Sequence, residues 1–274
     1  MCPKPGESLT EISLYSLFMA KVKGLFKAIF SIYAFLIFCI LMFLVFPFVV
    51  LSSLFGKVKG GNFIYKLCTF WADSAMLFWA MPHKNHYESE HDPHYPVVFV
   101  FNHISYIDIP VLLKAFRNQP IRVLGKAEMA KVPIFGFVYR NAAILVDRSS
   151  TSARAKSVNE LKAFLKAKIS VVIAPEGTFN TTGKPLKEFY DGAFKIAIET
   201  QTPIKPVIFL DTYDRLHYKN IFSMCPGKSR AVFLAEVAVE GLTINDVNLL
   251  KNRVYASMEE ALIRYNVSWI GHGK

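Results

Sequence analysis

Apolar residues are unevenly distributed along this chain: one long N-terminal run is followed by short, regularly recurring blocks. Residues 28–55 contain no charged side chain and are rich in Phe, Ile, Leu and Val. A helix of that length would measure about 42 Å, and a bilayer core is about 30 Å thick. The run is too long and begins too late for a cleaved signal peptide. The pattern therefore predicts a membrane-embedded helix over 28–55.

A second apolar stretch covers 63–81, contains Trp71 and Trp79, and ends before Pro82. Tryptophan at this density suits a membrane interface, and a core helix has the same pattern, so both interpretations stay open. The first run either crosses the membrane or turns back at Pro47. Because lysines flank it on both sides, the positive-inside rule selects no orientation. A hairpin held in one leaflet would keep both flanks in the cytoplasm.

Further along the chain, short apolar blocks alternate with stretches of helical pattern. The predicted strands lie near Val97, Ile121, Ala142, Val171, Ile204 and Ala231, and the predicted helices cover 152–167, 192–200 and 246–265. This alternation predicts an α/β domain, in which ligands usually bind at the carboxyl ends of the strands. We therefore expect a membrane anchor over 1–92 and a catalytic domain over 93–274.

The end of the predicted anchor is polar and rich in histidine. It carries His83, His86, His91 and His94 among acidic residues, tyrosine, serine and proline. This composition favours a linker over a metal site. The four cysteines are scattered and form no Cys-x-x-Cys, which favours a reducing compartment and no zinc.

The charge balance indicates acidic partners. The chain has 32 basic and 21 acidic residues, a formal net charge of +11. No nucleic-acid module signature is present, so nucleic acid is not expected as a partner. The long apolar run instead points to anionic membrane lipids and to phosphate-bearing substrates such as coenzyme A thioesters.

The strongest chemical signal is His103 followed five positions later by Asp108, directly after the apolar block that ends at Phe101. A neutral imidazole oriented by a carboxylate is a general base that works near neutral pH. The alternative is a helix capping box formed by Ser105 and Asp108, with His103 merely ending a strand. From these residues alone, the two interpretations are evenly matched.

Two further clusters follow at predicted strand ends. Pro175 to Thr178 predict a sharp turn at Gly177 whose backbone N–H groups would suit an anionic or carbonyl oxygen. The alternative is an ordinary turn from strand to loop with no binding role. Lys126 and Arg148 are candidate donors to a phosphate group.

Four short blocks in this order resemble the glycerolipid acyltransferases of the 1-acylglycerol-3-phosphate acyltransferase type, over roughly 95–215. They are Asn102-His103-x4-Asp108, the segment from Lys126 through Pro133 and Gly136 to Asp147-Arg148, Pro175-Glu176-Gly177-Thr178, and Pro203-Ile204-Lys205-Pro206-Val207. The resemblance implies a mixed, mostly parallel sheet flanked by helices, preceded by a membrane-embedded helix pair. It also implies that His103 is the base and Asp108 its partner, and that Glu176, Gly177 and Thr178 belong to the acceptor site.

One departure concerns the acceptor. The family usually continues Pro-Glu-Gly-Thr with Arg-Ser, and this chain has Phe179-Asn180. That arginine is associated with the acceptor's phosphate. Either Lys126 and Arg148, with Lys184 or Lys187, hold the phosphate here, or the acceptor is another lysolipid such as a lyso-aminolipid.

The resulting hypothesis is direct acyl transfer at a membrane, with the catalytic domain on the cytoplasmic face. His103 would deprotonate the free hydroxyl of lysophosphatidic acid, which attacks the thioester of acyl-CoA or an acyl carrier protein and yields phosphatidic acid. No cofactor or metal is expected. Two rivals are a serine hydrolase using Ser105, disfavoured because no Gly-x-Ser-x-Gly elbow occurs, and a non-catalytic membrane lipid-binding protein. These motifs do not specify the length of the acyl chain or the oligomeric state of the protein.

Overall fold

The short apolar blocks form six of the seven strands of one sheet in a computed structural model that describes residues 9–90, 92–146 and 151–271. The strands are β1 His83–Tyr87, β2 Val98–Phe101, β3 Ile121–Lys126, β4 Ala143–Val146, β5 Ser170–Ile173, β6 Ile204–Phe209 and β7 Ser229–Phe233. The helices are α1 Leu9–Ser53, α2 Gly61–Phe78, α3 Asp108–Ala115, α4 Phe135–Ala142, α5 Thr151–Lys166, α6 Gly192–Thr200, α7 Thr212–Arg215 and α8 Val247–Arg264.

The strand order is β1-β7-β6-β2-β5-β3-β4. Strands β6, β2, β5, β3 and β4 are mutually parallel, while β7 runs antiparallel to β6 and β1 is parallel to β7. The predicted mixed, mostly parallel α/β sheet is therefore confirmed. Its five parallel strands bring their carboxyl ends to one edge.

The sheet contains a strand that the sequence interpretation missed. Residues His83–Tyr87, assigned to a polar linker, form β1 and pair with β7 in a register that places His83 opposite Ser229. The linker interpretation is wrong for these residues because an edge strand has only one neighbour, and its polar side chains can stay in water. His83 Nδ1 lies 2.9 Å from Ser229 Oγ. His91, part of the same histidine-rich segment, lies outside the described residues.

Central strands bury both faces. All four residues of β2 are buried, with Phe99 and Phe101 packed in the core shared with α1 to α4. Val98 and Val100 pack in the opposite core, shared with α5, α6 and α8. Burying each such side chain contributes about 1.5–3 kcal/mol. The two cores hold β2, and therefore the loop that follows it, in a fixed position.

The two N-terminal helices form an antiparallel hairpin. Helix α1 continues through Pro47 to Ser53, so the chain does not turn back at that proline, and a π-helical turn at Gly56–Gly60 reverses it into α2. The Trp79 indole donates to the Ala34 carbonyl at 3.0 Å, which ties the far end of α2 to α1. The predicted pair of helices is present, although α1 begins well before residue 28.

Helix α1 has two unlike faces. One carries a buried stripe that includes Leu41, Val45 and Val49, and the other exposes Phe35 and Phe43. Within the described chain, one helical segment, Tyr15–Ser53, is long and apolar enough to cross a membrane, and its most apolar 18-residue window has a mean hydropathy of 3.1.

One face of helix α2 is buried and packs against α1, α3 and α4, while its other face exposes Phe63, Phe70 and Leu77. Trp71 and Trp79 are buried, so the two tryptophans belong to the core, and the exposed apolar face leaves the membrane-interface interpretation of 63–81 open.

Candidate active site

The candidate base lies in the loop that leaves the carboxyl end of β2. His103 Nδ1 is 2.8 Å from Asp108 Oδ2, and the His103 side chain is 21% exposed while that of Asp108 is fully buried. A ring N–H at Nδ1 therefore donates to the carboxylate. The other nitrogen, Nε2, is left as the proton acceptor.

Asp108 also organises the loop itself. Its Oδ2 accepts the backbone N–H groups of Ile104 at 2.8 Å and of Ser105 at 2.9 Å. Ser105 Oγ does not complete a capping box with Asp108, because it donates to the Leu216 carbonyl and accepts the N–H of Ile107. The two interpretations of the motif are thus not exclusive. One carboxylate oxygen fixes both the loop backbone and the imidazole.

Glu176 of the Pro175–Thr178 motif holds the backbone of the histidine loop. Glu176 is fully buried, with Oε1 accepting the backbone N–H of His103 at 3.0 Å and Oε2 accepting that of Lys187 at 2.9 Å. Burial raises the pKa of the Glu176 carboxyl to about 8, although these two N–H groups lower it. The carboxyl therefore lies beneath the site instead of lining it. Its geometry is that of a positioning residue, which differs from the substrate contact expected from the sequence.

The turn after Glu176 needs a glycine because its backbone is in the left-handed region. Gly177 has φ +69°, in the left-handed region, and its N–H donates to the Ala174 carbonyl at 3.1 Å. This N–H is therefore engaged within the turn. Thr178 Oγ1 accepts a hydrogen bond from Lys187 Nζ at 2.8 Å, which places an ammonium group beside the motif.

The two residues that depart from the family pattern have distinct positions. The Phe179 ring packs against the His103 imidazole, with centroids 4.5 Å apart, and against Tyr106 at 4.8 Å. Asn180 is buried, donates its backbone N–H to the His103 carbonyl at 2.8 Å, and its side-chain amide donates to the Lys184 carbonyl. Phe179 is therefore part of the site, and Asn180 shapes the loop around it.

Comparison with known proteins identifies this arrangement. Residues 83–210 match the sequence model of the family described as Acyltransferase. Residues 83–210 of this chain are therefore similar to the acyltransferase family, and they include both the histidine loop and the Glu176 motif. It is 29% identical over 161 residues to a 1-acyl-sn-glycerol-3-phosphate acyltransferase of Cocos nucifera, covering 58% of this chain and 50% of that protein. It is 30% identical over 168 residues to human 1-acyl-sn-glycerol-3-phosphate acyltransferase alpha, covering 61% of this chain and 58% of that protein.

A solved structure shares the fold. The crystal structure of the 1-acyl-sn-glycerophosphate (LPA) acyltransferase PlsC from Thermotoga maritima superposes with a TM-score of 0.68 at 19% identity, covering 91% of this chain and 98% of that chain. The coverage includes most of the N-terminal helices. The curated relatives are matched over half to about three fifths of their lengths.

Of the two predicted phosphate donors, the structure describes Lys126. Lys126 is exposed at the end of β3, and β3 is separated from β2 by β5, so its backbone lies about 10 Å across the sheet from the His103 loop. Arg148 lies outside the described residues. Lys187, which the sequence offered only as an alternative, contacts Thr178 directly.

Two supporting contacts of the acyltransferase site had weak sequence signals. The Asn102 side chain clamps β2 to β6, donating to the Phe209 carbonyl at 3.1 Å and accepting the Phe209 N–H at 2.7 Å. The Leu216 carbonyl accepts the Ser105 hydroxyl. An asparagine directly before the histidine was a usable signal for the first contact, and no local pattern indicates the second.

Proposed function

We propose that this protein transfers a fatty acyl group from a thioester donor, acyl-CoA or acyl carrier protein, to the free hydroxyl of a 1-acylglycerol-3-phosphate, forming phosphatidic acid. The observation that carries the proposal is the His103–Asp108 pair, a partly exposed imidazole held by a fully buried carboxylate at the carboxyl edge of a parallel sheet. The relatives' names support the choice of acceptor.

The chemistry requires a single proton carrier. His103 Nε2 takes the hydroxyl proton as the oxygen attacks the thioester carbonyl, and the buried Asp108 carboxylate stabilises the resulting imidazolium. Collapse of the tetrahedral intermediate breaks the carbon–sulfur bond. The thiolate takes the proton from the imidazolium and leaves as a thiol. No acyl-enzyme forms in this scheme.

Charged groups on both sides of the loop suit a phosphate-bearing acceptor. Lys187 lies beside Thr178, and Lys126 is exposed at the end of β3. We assign the acceptor phosphate to these cations together with Arg148. Backbone N–H groups near Gly177 take the oxyanion role in this scheme.

Membrane attachment follows from the hairpin. The buried stripe of α1 is covered by protein and its opposite face exposes Phe35 and Phe43, so lipid would contact only that outer face. On α2, Asp73 forms ion pairs with Lys114 and Arg117, which would be costly inside a bilayer. We therefore place the hairpin in one leaflet, with the catalytic domain on the cytoplasmic side. Proteolysis of sealed vesicles of known orientation tests the side.

Product analysis tests the proposed reaction. Membranes containing the protein, given lysophosphatidic acid and an acyl-CoA of one chain length, should yield phosphatidic acid carrying that chain at the formerly free hydroxyl, as measured by mass spectrometry. An otherwise identical acceptor lacking this hydroxyl should give no acylated product. Transfer of the chain to water alone would contradict the proposal.

Phe179 favours a second candidate acceptor, a lysolipid without a terminal phosphate, such as a lyso-aminolipid. An aromatic ring in contact with His103 offers no charge to a phosphate. Phe179→Arg should lower the KM for lysophosphatidic acid if the position sets acceptor choice, and Phe179→Leu should leave the preference between acceptors unchanged. If wild type acylates only the phosphate-free lysolipid, the second candidate replaces the first.

A further inference from the structure

A cavity of about 340 Å³ lies away from the histidine loop, where the hairpin turn meets the end of the sheet at β3 and β4. Its walls come from the α1–α2 turn, from β3 and β4, and from α4 and α5. Its charged lining consists of Lys57, Arg122, Arg140, Lys156 and Glu160. Four basic side chains against one carboxylate make this cavity strongly cationic.

Arg122 is the unusual member of this lining. The residue is only 2% exposed, and its guanidinium donates to neutral oxygens, namely the carbonyls of Ile121 and Lys57 and the side chain of Asn62. Within the described part of the chain it forms no ion pair. Its guanidinium also lies 4.9 Å over the Phe164 ring. Burial lowers the pKa of Arg122 to about 10, so the side chain remains charged at neutral pH.

The surrounding backbone makes room for this cation. A Cβ atom at Gly61 would lie 2.6 Å from Arg122 Nη2, so any larger residue there would displace the guanidinium. The carboxylate of the lining, Glu160, is paired with Lys57. Neither Arg122, Arg140 nor Lys156 forms an ion pair with a carboxylate of the described residues. A buried charge without a counter-ion is costly, and an anionic ligand would offset that cost.

The part of the cavity around Arg122 lies away from the proposed catalytic centre. Arg122 pairs with Val171 of β5, which in turn pairs with Val98 of β2, so Arg122 is level with the start of β2, while His103 follows its end. Five residues along the strand and two strands across amount to about 19 Å between the two backbone positions. The cavity also extends along β3 to Ala127, but a phosphate held by Arg122 is a different site from one bound next to His103.

We propose that the cavity binds the phosphate group of an anionic lipid at the tip of the membrane hairpin. The lipid source is favoured by its setting, because Ser53, Gly56 and Lys57 line the cavity while the adjoining Leu54 and Phe55 are 79% and 66% exposed. A head group could enter from the membrane surface while its acyl chains stay against these apolar side chains. Arg122, Arg140 and Lys156 supply the charged donors.

The test measures binding to the purified full chain in a neutral detergent, so it does not depend on acyl transfer and its failure would leave the proposed reaction standing. The thermal unfolding midpoint is titrated with dihexanoyl phosphatidylglycerol, with zwitterionic dihexanoyl phosphatidylcholine and with inorganic phosphate. Phosphatidylglycerol should raise the midpoint at the lowest concentration. Inorganic phosphate acting equally well would keep the site but assign it to free phosphate instead of lipid.

Arg122 itself is a poor choice for mutation because it holds the hairpin turn. Lys156→Glu is used instead, and it should weaken the apparent affinity for phosphatidylglycerol about tenfold, as expected for loss of a charged hydrogen-bond donor. Lys166→Glu is the matched control, since it makes the same change on the exposed surface of the same helix and should keep wild-type affinity. Arg140→Gln should act in the same direction as Lys156→Glu. No stabilisation of wild type by either anion, or equal weakening by Lys156→Glu and Lys166→Glu, would overturn the proposal.

Discussion

The loops that carry His103 and Glu176 and the outer face of α1 are stabilised by opposite means. In the loops, the buried side-chain carboxyl groups of Asp108 and Glu176 accept five hydrogen bonds from backbone and imidazole N–H groups. On α1, large apolar side chains such as Phe35 and Phe43 are exposed along the helix. The first region gains its order from directional bonds inside the protein, and the second is completed only by an apolar environment outside it.

This difference separates the chemistry from the attachment. A change in the polar loops should remove catalysis and leave the protein on the membrane, because none of these groups contacts the outer face of α1. A change on that face should remove attachment and leave the site intact. Measuring acyl transfer and membrane attachment on the same variants tests this separation.

The largest effect is expected from Asp108→Asn. The amide cannot accept the imidazole N–H and two backbone N–H groups as an ionised oxygen does, so His103 would lose its tautomer and orientation. Acyl transfer should fall by about 10²- to 10⁴-fold. Asp191→Asn, which changes a surface carboxylate paired with Lys251, should retain activity. Release of Asp108→Asn from membranes in parallel with its loss of activity would contradict the separation.

Membrane attachment should respond to Phe35→Glu combined with Phe43→Glu. Each glutamate places a charge on the exposed apolar face, so the membrane-bound fraction after sedimentation should fall by at least about tenfold. Leu249→Glu with Ile263→Glu alters exposed residues of α8, on the other side of the sheet, and should leave the bound fraction unchanged. Activity of the α1 variant on substrates dispersed in detergent should persist. Its complete loss there would link the two regions.

Glu176 gives the polar loops a pH-dependent stability. Because burial raises the pKa of this carboxyl to about 8, the unfolded chain loses its proton first as pH rises. The cost of burying the group therefore grows between about pH 4.5 and pH 8 and is complete above that range, with a slope of at most about 1.4 kcal/mol per pH unit. Glu176→Gln lacks this ionisation, so wild type should lose stability relative to it across this window.

Chemical denaturation at several pH values measures that difference. At every pH, Glu176→Gln should also lower the free energy of unfolding by about 1–2 kcal/mol. The reason is that its amide nitrogen cannot accept one of the two backbone N–H groups that Glu176 accepts. Glu188→Gln, on an exposed neighbour, supplies the baseline. A difference between wild type and Glu176→Gln that stays flat from pH 5 to pH 8 would contradict the raised pKa.

The smallest effect is expected from Ser105→Ala. The Ser105 hydroxyl connects the histidine loop to Leu216, so its loss should cost about 1 kcal/mol of stability while acyl transfer stays close to wild type. Ser157→Ala, which also removes a hydroxyl donor to a carbonyl, provides a matched comparison. Loss of all transfer activity with retained folding would instead favour the serine hydrolase rival.

Sequence patterns predicted the elements that bury both faces and failed where polarity disguised a strand. Strand β2 is apolar throughout and β5 is apolar after Ser170, and both were found, as was α6 over its full length. Strand β1 has a polar sequence because it lies at the sheet edge, so periodicity could not reveal it. The start of α1 was set too late because Glu11, Lys21, Lys23 and Lys27 interrupt the apolar pattern in its N-terminal part.

The site was also predicted only in part, because sequence spacing reveals contacts within one loop and does not reveal contacts between loops. The His103–Asp108 contact is local, five residues apart, and could be inferred from spacing. The contact between Glu176 and the His103 backbone joins residues far apart in the chain, so its direction and burial could not be inferred. Nor could the sequence show that Phe179 packs on the imidazole, because that contact depends on how the two loops meet at the sheet edge.

The most direct test of the central claim is free-thiol release from acyl-CoA by membranes containing wild type or His103→Ala, with lysophosphatidic acid as the acceptor. Both proteins should reach the membrane in equal amounts, since His103 is remote from the outer face of α1. Wild type should release thiol when lysophosphatidic acid is present, and His103→Ala should release none above background. Equal release by the two proteins would contradict the role of His103 as the base.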